Sequence, residues 1–96
     1  MSENKRNICL VVPCYNEAER LDVEEYRKYS GNIHFLFVND GSSDRTLELL
    51  NNEASAFASV LSLEKNSGKA EAVRRGMMHL VELPCYDEIE WAGFWD

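Results

Sequence analysis

Polar residues that could bind a ligand follow each of four short apolar segments of the chain. Asp40 stands at the end of the second segment, where its carboxylate could accept hydrogen bonds from the imide or amide edge of a base. In the alternative interpretation, Asp40 is a turn-forming residue beside Gly41. These residues alone leave both interpretations open.

Tyr15 and Glu17 follow the first apolar segment. An aromatic ring and a carboxylate at this position could flank a nucleoside. Alternatively, Glu17 is an acidic residue in the first turn of a helix, where the helix dipole favours negative charge.

The segment from Asn66 to Lys69 has two features of a phosphate-binding loop. Its glycine allows close approach of the backbone, and a helix N-terminus favours anions. It is not a Walker A sequence, because the upstream glycine is missing and Ala70 stands where a Mg²⁺-binding Ser or Thr is required. Lys69, Arg74 and Arg75 could bring positive charge to the site, and the alternative for the two arginines is a solvated helix face.

Asp96 follows the fourth apolar segment and is the last residue of the sequence. At the same rim as Asp40 and Glu17, it could hold a divalent cation. Mg²⁺ and Mn²⁺ prefer oxygen ligands and commonly bridge a carboxylate and a diphosphate. One carboxylate is too few for tight binding.

The sequence lacks the residues that several other kinds of catalytic or binding site require. The dinucleotide motif GxGxxG and the metalloprotease motif HExxH are both absent. His34 and His79 have no partner at ligand spacing, so we assign them structural or surface roles. Cys14 has no histidine placed to activate it as a nucleophile.

The composition indicates one small globular domain. The chain has 96 residues, of which 45% are hydrophobic and 28% charged. A formal net charge of −7 argues against a nucleic-acid partner, although a small phosphate ligand needs only a local positive site. The three cysteines are odd in number and irregularly spaced, which predicts reduced thiols.

Neither a membrane span nor a secretory signal is predicted. No apolar run approaches the roughly 20 residues that cross a bilayer, and residues 1–7 are too polar for a signal peptide. We therefore expect a soluble, cytoplasmic protein.

The elements that must position these residues alternate as β-α-β-α-β-α-β. Short β-branched or apolar runs predict four strands: Ile8 to Pro13, His34 to Val38, Ser59 to Leu63 and Trp91 to Trp95.

Helical periodicity fills the intervals between these strands. The first helix is predicted from Asn16 to Tyr29, and the third opens at Asn66 and ends before Pro84. The second carries Leu47, Leu50, Ala54 and Phe57 on one face, with Ser43 or Asp44 as its cap. The third carries Val73, Met77 and Leu80 on its inner face.

Short connections of this kind predict parallel strands joined by right-handed crossovers, in a Rossmann-like α/β/α three-layer sandwich. In such doubly wound sheets ligands bind outside the carboxyl ends of the strands. Four segments lie there: Pro13 to Glu17, Asn39 to Ser43, Glu64 to Lys69, and Asp96. Because all four carry polar or charged residues, we expect one site at this edge.

Three segments resemble, in order and spacing, successive signatures of family 2 glycosyltransferases with the GT-A fold. They are Val12 to Glu17, Val38 to Thr46 and Asn66 to Ala70. Arg74 and Gly76 also fit, and the nearest subgroup is the enzymes resembling dolichyl-phosphate glucosyl and mannosyl transferases. The resemblance runs from Ile8 to Asp96.

The resemblance assigns roles to the candidate residues. Pro13, Tyr15 and Glu17 inherit contact with the nucleotide, and Asp40 inherits recognition of the base. The loop from Asn66 to Lys69 would lie against the nucleotide.

The resemblance also assigns the last strand, Trp91 to Trp95, which would lead into an Asp-x-Asp motif that binds Mg²⁺ or Mn²⁺. Asp96 would be the first acid of that motif, in contact with the nucleotide sugar and the metal. The second acid is absent, and Asn39 replaces the commoner first Asp of the second signature.

The resemblance implies a donor-binding part, over residues 1–96, of an inverting enzyme that transfers a hexose from a nucleoside-diphosphate sugar to an acceptor hydroxyl or lipid phosphate. The family's acceptor-binding half and catalytic base lie further along the chain. We therefore expect this chain to be a truncated N-terminal part that binds the donor without catalysing transfer.

Two alternatives come from other classes of protein. An apolar strand at an open sheet edge invites pairing with another chain, which predicts a non-catalytic, self-associating homo-oligomer. The other alternative is an acidic receiver-like or flavodoxin-like module. The acidic cluster follows the second strand rather than the first, which argues against that module.

Overall fold

The computed structural model describes residues 7–95, which form one four-stranded parallel sheet. The strands are β1 (Ile8–Cys14), β2 (Ile33–Asp40), β3 (Ser59–Leu63) and β4 (Trp91–Phe94), in the spatial order β3-β2-β1-β4. The predicted parallel α/β architecture is confirmed.

Burial on both faces explains why the central strands read as continuous apolar runs. Residues 34–40 of β2 are all buried, since this strand has neighbours at both edges and helices on both faces. β2 runs two residues further than predicted and includes Asn39 and Asp40. The ladder continues through them, because Asn39 pairs with Cys14 and Asp40 with Leu63.

Short helical segments connect the strands. They are α1 (Val23–Arg27), α2 (Thr46–Leu49), which continues as a π-helical turn (Leu50–Ala54), and α3 (Lys69–His79), which is followed by 3₁₀ turns (Leu80–Glu82 and Tyr86–Glu88).

The two faces of the sheet have separate apolar cores. On one face Val12 and Phe37 pack with residues of α1 and of the π-helical turn, including Val23 and Leu50. On the other face Val11 packs with residues of α3 and the segment after it. The connections that leave β1 and enter β4 therefore lie on opposite faces, which puts the topological switch point between these two adjacent strands.

Gly76 lets α3 lie close to the sheet. A Cβ atom at this position would be 2.5 Å from Val11 Cγ1 and 3.0 Å from Val38 Cγ2. The buried residues of α3 are accordingly Ala72 and Gly76. The predicted inner face of Val73, Met77 and Leu80 is confirmed for Leu80, which is buried, and for Met77, which is half-buried and packs against the same core. Val73 is half-buried and is not part of that core.

The first helix is much shorter than predicted. Asn16 adopts φ 52°, a left-handed conformation in which an α-helix cannot begin. Helix α1 begins only after Asp22, whose Oδ1 accepts a hydrogen bond from the Glu25 N–H at 3.3 Å. The segment between them is free to form a loop at the sheet edge.

The fourth strand, predicted from Trp91 to Trp95, is present as β4, Trp91–Phe94. β4 pairs only with β1 and is one of the two edge strands of the described sheet, the other being β3. Trp91 is 67% exposed, and Phe94 and Trp95 are also exposed.

Candidate functional site

Three loops meet at the carboxyl ends of β1, β2 and β3, and this edge of the sheet is here called the rim. They are the first loop (residues 15–22), the second loop (residues 41–45) and the third loop (residues 64–68). The predicted convergence of polar segments at this edge is what the structure shows for these three. Two sets of hydrogen bonds hold these loops together. The first junction joins the second loop and its flanking residues to the first loop, and the second junction joins them to the third loop.

The first junction ties backbone N–H groups of the first loop to side chains around the second. The Asn16 N–H donates to Ser42 Oγ at 3.0 Å, and the Glu17 N–H donates to Thr46 Oγ1 at 2.8 Å. The Ala18 N–H donates to Asp44 Oδ2 at 3.3 Å. Three successive donors of the first loop are therefore satisfied within the protein.

The Asn16 side chain completes this junction from the opposite side. Its Oδ1 accepts from the Ser43 N–H at 2.9 Å and from the Asp44 N–H at 3.3 Å. Asn tolerates the left-handed conformation that this geometry requires. The first loop thus contributes both donors and an acceptor to the junction.

Asp44 and Thr46 are the hub of the first junction. Asp44 Oδ1 accepts from the Thr46 N–H at 2.9 Å and also from the Thr46 hydroxyl. The hydroxyl bond is the largest cause that holds the pKa of Asp44 below its usual range. Thr46 is fully buried, and Asp44 is exposed. The predicted cap, Ser43 or Asp44, was wrong, because the N-cap of α2 is Arg45 and its side chain makes no capping bond. Asp44 instead bonds to the N–H of Thr46, the first residue of the helix.

The second junction depends on one buried carboxylate. Asp40 is 2% exposed, and its Oδ1 accepts from the Ser67 N–H at 2.8 Å. Its Oδ2 accepts from the Gly68 N–H at 3.0 Å and from Asn66 Nδ2 at 3.1 Å. Asn66 Nδ2 also lies 3.2 Å from the Asp40 carbonyl oxygen. Asp40 is therefore not a simple turn residue, because its side chain holds the third loop.

Gly41 brings the second and third loops into direct contact. It adopts φ 64°, and a Cβ atom here would lie 2.2 Å from both Asn66 N and Lys65 C. Backbone atoms of another loop cannot give way as a flexible side chain can. Only glycine fits this position without moving the third loop.

Asn39 has a supporting role that the sequence did not reveal. It is buried, its Nδ2 donates to Ser62 Oγ at 3.0 Å, and its Oδ1 accepts from the Ser42 N–H at 3.3 Å. An amide can donate and accept at once, whereas an ionised carboxylate can only accept. Asn39 therefore joins the end of β3 to the second loop.

The other predicted site residues are buried to different extents. Pro13 lies within β1, half-buried, and pairs in register with Val38. Tyr15 is 44% exposed just beyond the strand. Glu17 is half-buried and forms a salt bridge to Arg20, with Oε1 and Nε 3.2 Å apart. Lys69 is exposed at the first residue of α3.

Asp96, the predicted metal ligand, lies outside the described residues. Within residues 7–95, no three His, Cys, Asp or Glu side chains lie close enough together to hold a metal ion. The described part of the rim by itself does not fit a protein-bound divalent cation, and no chemical step is assigned to one.

Arg74 and Arg75 take the alternative role considered for them. Both contact Glu71 on the surface of α3, with N to O distances of 2.7 and 3.0 Å. These hydrogen bonds lower the pKa of Glu71 to about 2. The pair of arginines therefore has a carboxylate partner on its own helix.

The isolated His and Cys residues have structural surroundings. His34 is buried, and its Nε2 lies 2.9 Å from Ser59 Oγ. Cys14 is the last residue of β1 rather than part of the first loop, and burial raises the pKa of its thiol to about 12. All three cysteines are free thiols, as predicted.

An apolar groove of about 570 Å³ extends from the first loop down the face of β1. It lies on the face that carries α1. Its walls include Leu10, Val12, Phe35, Tyr26 and Trp95, and Glu17 and Arg20 form part of its polar margin. The groove adjoins the rim at Pro13 and Cys14.

Four residues that build the rim were not singled out as ligands or anchors from the sequence: Asn16, Asn39, Ser42 and Thr46. Each is a small polar residue in a segment that already read as a turn or strand end. The available signal was only that such residues bond to nearby backbone groups. Their actual partners are 23 to 29 positions away, apart from the Asn39 bond to Ser42 and the Thr46 bond to Asp44.

Comparison with known proteins gives one family match and several relatives. The sequence model of glycosyl transferase family 2 matches residues 9–81. A dolichyl-phosphate beta-glucosyltransferase of Trichomonas vaginalis is 38% identical over 82 residues, which cover 72% of this chain and 24% of that protein. A prophage bactoprenol glucosyl transferase homolog of Escherichia coli is 35% identical over 82 residues, covering 75% and 26%.

The fold is similar to that of a mannosyltransferase from Pyrobaculum calidifontis, solved in complex with GDP-Man and Mn²⁺. The TM-score is 0.64 at 21% identity, over 76% of this chain and 24% of that one. The chain spans about a quarter of the length of the curated relatives it matches. Among residues 7–95, no helix is both long and apolar enough to cross a membrane.

Proposed function

Since this chain belongs to glycosyl transferase family 2, we propose that it forms the donor-binding part of an enzyme that uses a nucleoside-diphosphate sugar. The family and the GT-A type of fold, both predicted from the three signatures, are confirmed. Donor binding, the metal and the acceptor belong to the proposal.

The observation that carries the proposal is the way three loops are fixed together at one edge of the sheet. Both junctions connect backbone groups of one loop to side chains of another, so the three loops hold one another in place through contacts within the protein. Such an edge, next to a topological switch point, is where open α/β sheets bind their ligands.

The nucleoside contacts are proposed for the first and third loops. Tyr15 would stack on the base or ribose, and Glu17 would accept from a hydroxyl or amide of the nucleoside. Pro13 would line the pocket below them, and Asn66 and Lys69 would lie on the other side. Asp40 keeps one lone-pair position on Oδ1 after its three hydrogen bonds, which leaves room for one contact with the base.

The diphosphate needs positive charge, and the chain as a whole is acidic. We propose that a divalent cation, Mg²⁺ or Mn²⁺, supplies it, with Asp96 as a protein ligand. The solved mannosyltransferase with a similar fold contains Mn²⁺ with GDP-Man, which supports this. The rest of the cation's oxygen ligands would come from the diphosphate and from water.

The proposed acceptor is a lipid phosphate. Two relatives are named for transfer to dolichyl phosphate and to bactoprenol. In the proposed reaction, an acceptor oxygen attacks the anomeric carbon with inversion, and the nucleoside diphosphate leaves. We propose that this chain supplies the donor-binding contacts of that reaction, in the cytoplasm, and we assign none of its described residues to the acceptor.

Calorimetric titration with UDP and with GDP, in the presence and absence of Mn²⁺, tests donor binding. Tyr15→Ala should weaken binding of the preferred nucleotide by about tenfold, since loss of an aromatic stacking partner costs about 1–3 kcal/mol. Tyr86→Ala is the matched control, because Tyr86 is 45% exposed, against 44% for Tyr15, and lies in a 3₁₀ turn before β4. A folded wild type that binds neither nucleotide, or an equal loss from both variants, would contradict the proposal.

Self-association through β4 is a second candidate function, favoured by one observation. Trp91 and Phe94 are exposed on edge strand β4, and Trp95 is exposed directly after it. The free edge of such a strand can pair with another chain. Light scattering of the titration samples checks this. A monomer at every concentration would remove this candidate, and a dimer lost on Trp91→Lys substitution would support it.

A further inference from the structure

The N-terminus of α3 is a place where an anion would ordinarily bind. Backbone N–H groups at the start of a helix lack partners within the helix, and the helix dipole favours negative charge there. Gly68 precedes the helix with φ 96°, and the N–H groups of Ser67 and Gly68 point to the same side. In a nucleotide-binding fold these donors are natural candidates to hold a phosphate.

The carboxylate of Asp40 occupies the N-terminus of α3. Both oxygens of Asp40 accept from the loop, Oδ1 from Ser67 and Oδ2 from Gly68, at 2.8 and 3.0 Å. Asp40 is 2% exposed, so water cannot readily replace these bonds. Hydrogen bonds to a charged acceptor are about twice as strong as neutral ones, and burial strengthens them further.

Neighbouring residues prevent the third loop from turning the N–H groups of Ser67 and Gly68 towards a phosphate. Gly41 lies directly against the backbone of Lys65 and Asn66. The Asn66 amide is bonded to both the side chain and the main chain of Asp40. The first loop offers no substitute, because its N–H groups at residues 16–18 are bonded to Ser42, Thr46 and Asp44.

We infer that Asp40 is a positioning residue, an internal anion that occupies the N-terminus of α3 and fixes the third loop, so that the donor diphosphate is not held by these backbone groups. Asp40 then also acts on the nucleotide through Asn66 and Lys69, which lie in and beside the fixed loop. This inference rests on the proposed function, and it adds support of the third loop to the base contact proposed for Asp40.

Removal of the carboxylate and its return as a small molecule tests the inference. Asp40→Ala deletes the group, and formate has the size and charge of the part deleted. Amide hydrogen exchange of Ser67 and Gly68, followed by NMR without nucleotide, reports the bonds directly. Trypsin provides a second readout, because Lys65 and Lys69 bracket the loop.

In Asp40→Ala, exchange at Ser67 and Gly68 should quicken by at least about tenfold, and cleavage after Lys65 should begin, while amides of β1 stay protected. Formate should restore protection in the variant and have no effect on the wild type, with chloride at the same ionic strength as the control. Nucleotide affinity should fall in the variant and recover with formate. Asp22→Ala, which removes the carboxylate at the start of α1, should leave the third loop protected.

Two outcomes would overturn the inference. Unchanged exchange at Ser67 and Gly68 would show that Asp40 does not hold the loop. Restored protection without any recovery of affinity would show that the order of the third loop does not serve nucleotide binding.

Two further measurements keep the test interpretable. If Asp40→Ala does not fold, Asn66→Ala removes only the amide contact and should speed exchange at the same two positions by a smaller factor. A wild type that binds no nucleotide, while formate still restores protection in the variant, would refute the proposed function and leave the anchoring role of Asp40 standing.

Discussion

The first junction spreads its hydrogen bonds over many small side chains, whereas the second concentrates them on one buried charge. Asn16, Ser42, Asp44 and Thr46 share the contacts between the first and second loops, and two of these residues stay half-buried while Asp44 is exposed. Asp40 alone accepts three bonds from the third loop. The first junction should therefore keep its geometry when one of its side chains is removed, whereas the second junction should open when Asp40 is removed.

The difference has a physical basis in where the loops lie. The third loop follows β3, next to the buried carboxyl end of β2, so a charge placed there is shielded from water and interacts strongly. The first loop follows β1 and reaches the solvent at Tyr15. Hydroxyl and amide groups and the exposed Asp44 carboxylate share the bonds there, and water can replace any bond that opens.

The largest effect is expected from Gly41→Ala at the second junction. The substitution combines a left-handed φ with a Cβ atom 2.2 Å from backbone atoms of the third loop, and should lower the free energy of unfolding by about 3 kcal/mol or more. Urea denaturation followed by circular dichroism measures this.

Two other glycines separate the causes of that loss. Gly68→Ala introduces the same kind of strained φ, at 96°, into open space, and should cost about 1 kcal/mol. Gly31→Ala meets nothing within 4 Å and should be close to neutral. If Gly41→Ala costs no more than Gly68→Ala, the close contact between the second and third loops does not stabilise the protein.

A medium effect is expected from Thr46→Val at the first junction. Valine has the shape of threonine but leaves the Glu17 N–H without its acceptor, so the free energy of unfolding should fall by about 1–2 kcal/mol. Thr46→Ser keeps the hydroxyl and should lose less. A loss as large as that of Gly41→Ala, measured by the same denaturation, would mean that the first junction also depends on a single group.

The smallest effect is expected from Asp44→Asn, and it should depend on pH. The pKa of Asp44 is lowered from 3.8 in the folded protein, mainly by the Thr46 hydroxyl, so its contribution is fully present above pH 3.8. That contribution is lost as the pH falls through the folded pKa.

Stability curves of wild type and Asp44→Asn between pH 2 and 7 provide the measurement. The gap between the two proteins should be constant near neutral pH and close below about pH 4. Glu71, whose pKa is lowered to about 2 by Arg74 and Arg75, titrates in both proteins, so its effect cancels in the difference. A gap that widens in acid would contradict the role given to Asp44.

The local features of the sequence were sufficient to predict the type and order of the elements. β3 occupies the predicted residues, and β1 and β2 differ from the prediction only at their ends, because continuous β-branched runs fit a strand covered on both faces. The three signatures identified the family, and they lie where the parallel order of strands brings their loops together. Location in the cytoplasm, self-association and the metal role of Asp96 stay predictions.

The bonding partners at the rim were decided only by the tertiary structure. Periodicity reports which face of an element is buried, and turn residues report local conformation, but neither reports contacts between residues 26 to 28 positions apart. The sequence around Asp40 does not indicate whether its carboxylate faces solvent, a base or the third loop. The parallel pairing of β2 with β3 places the N–H groups of Ser67 and Gly68 within 3.0 Å of the Asp40 carboxylate oxygens. Asp40 therefore holds the third loop in place, which its position in the signature did not reveal.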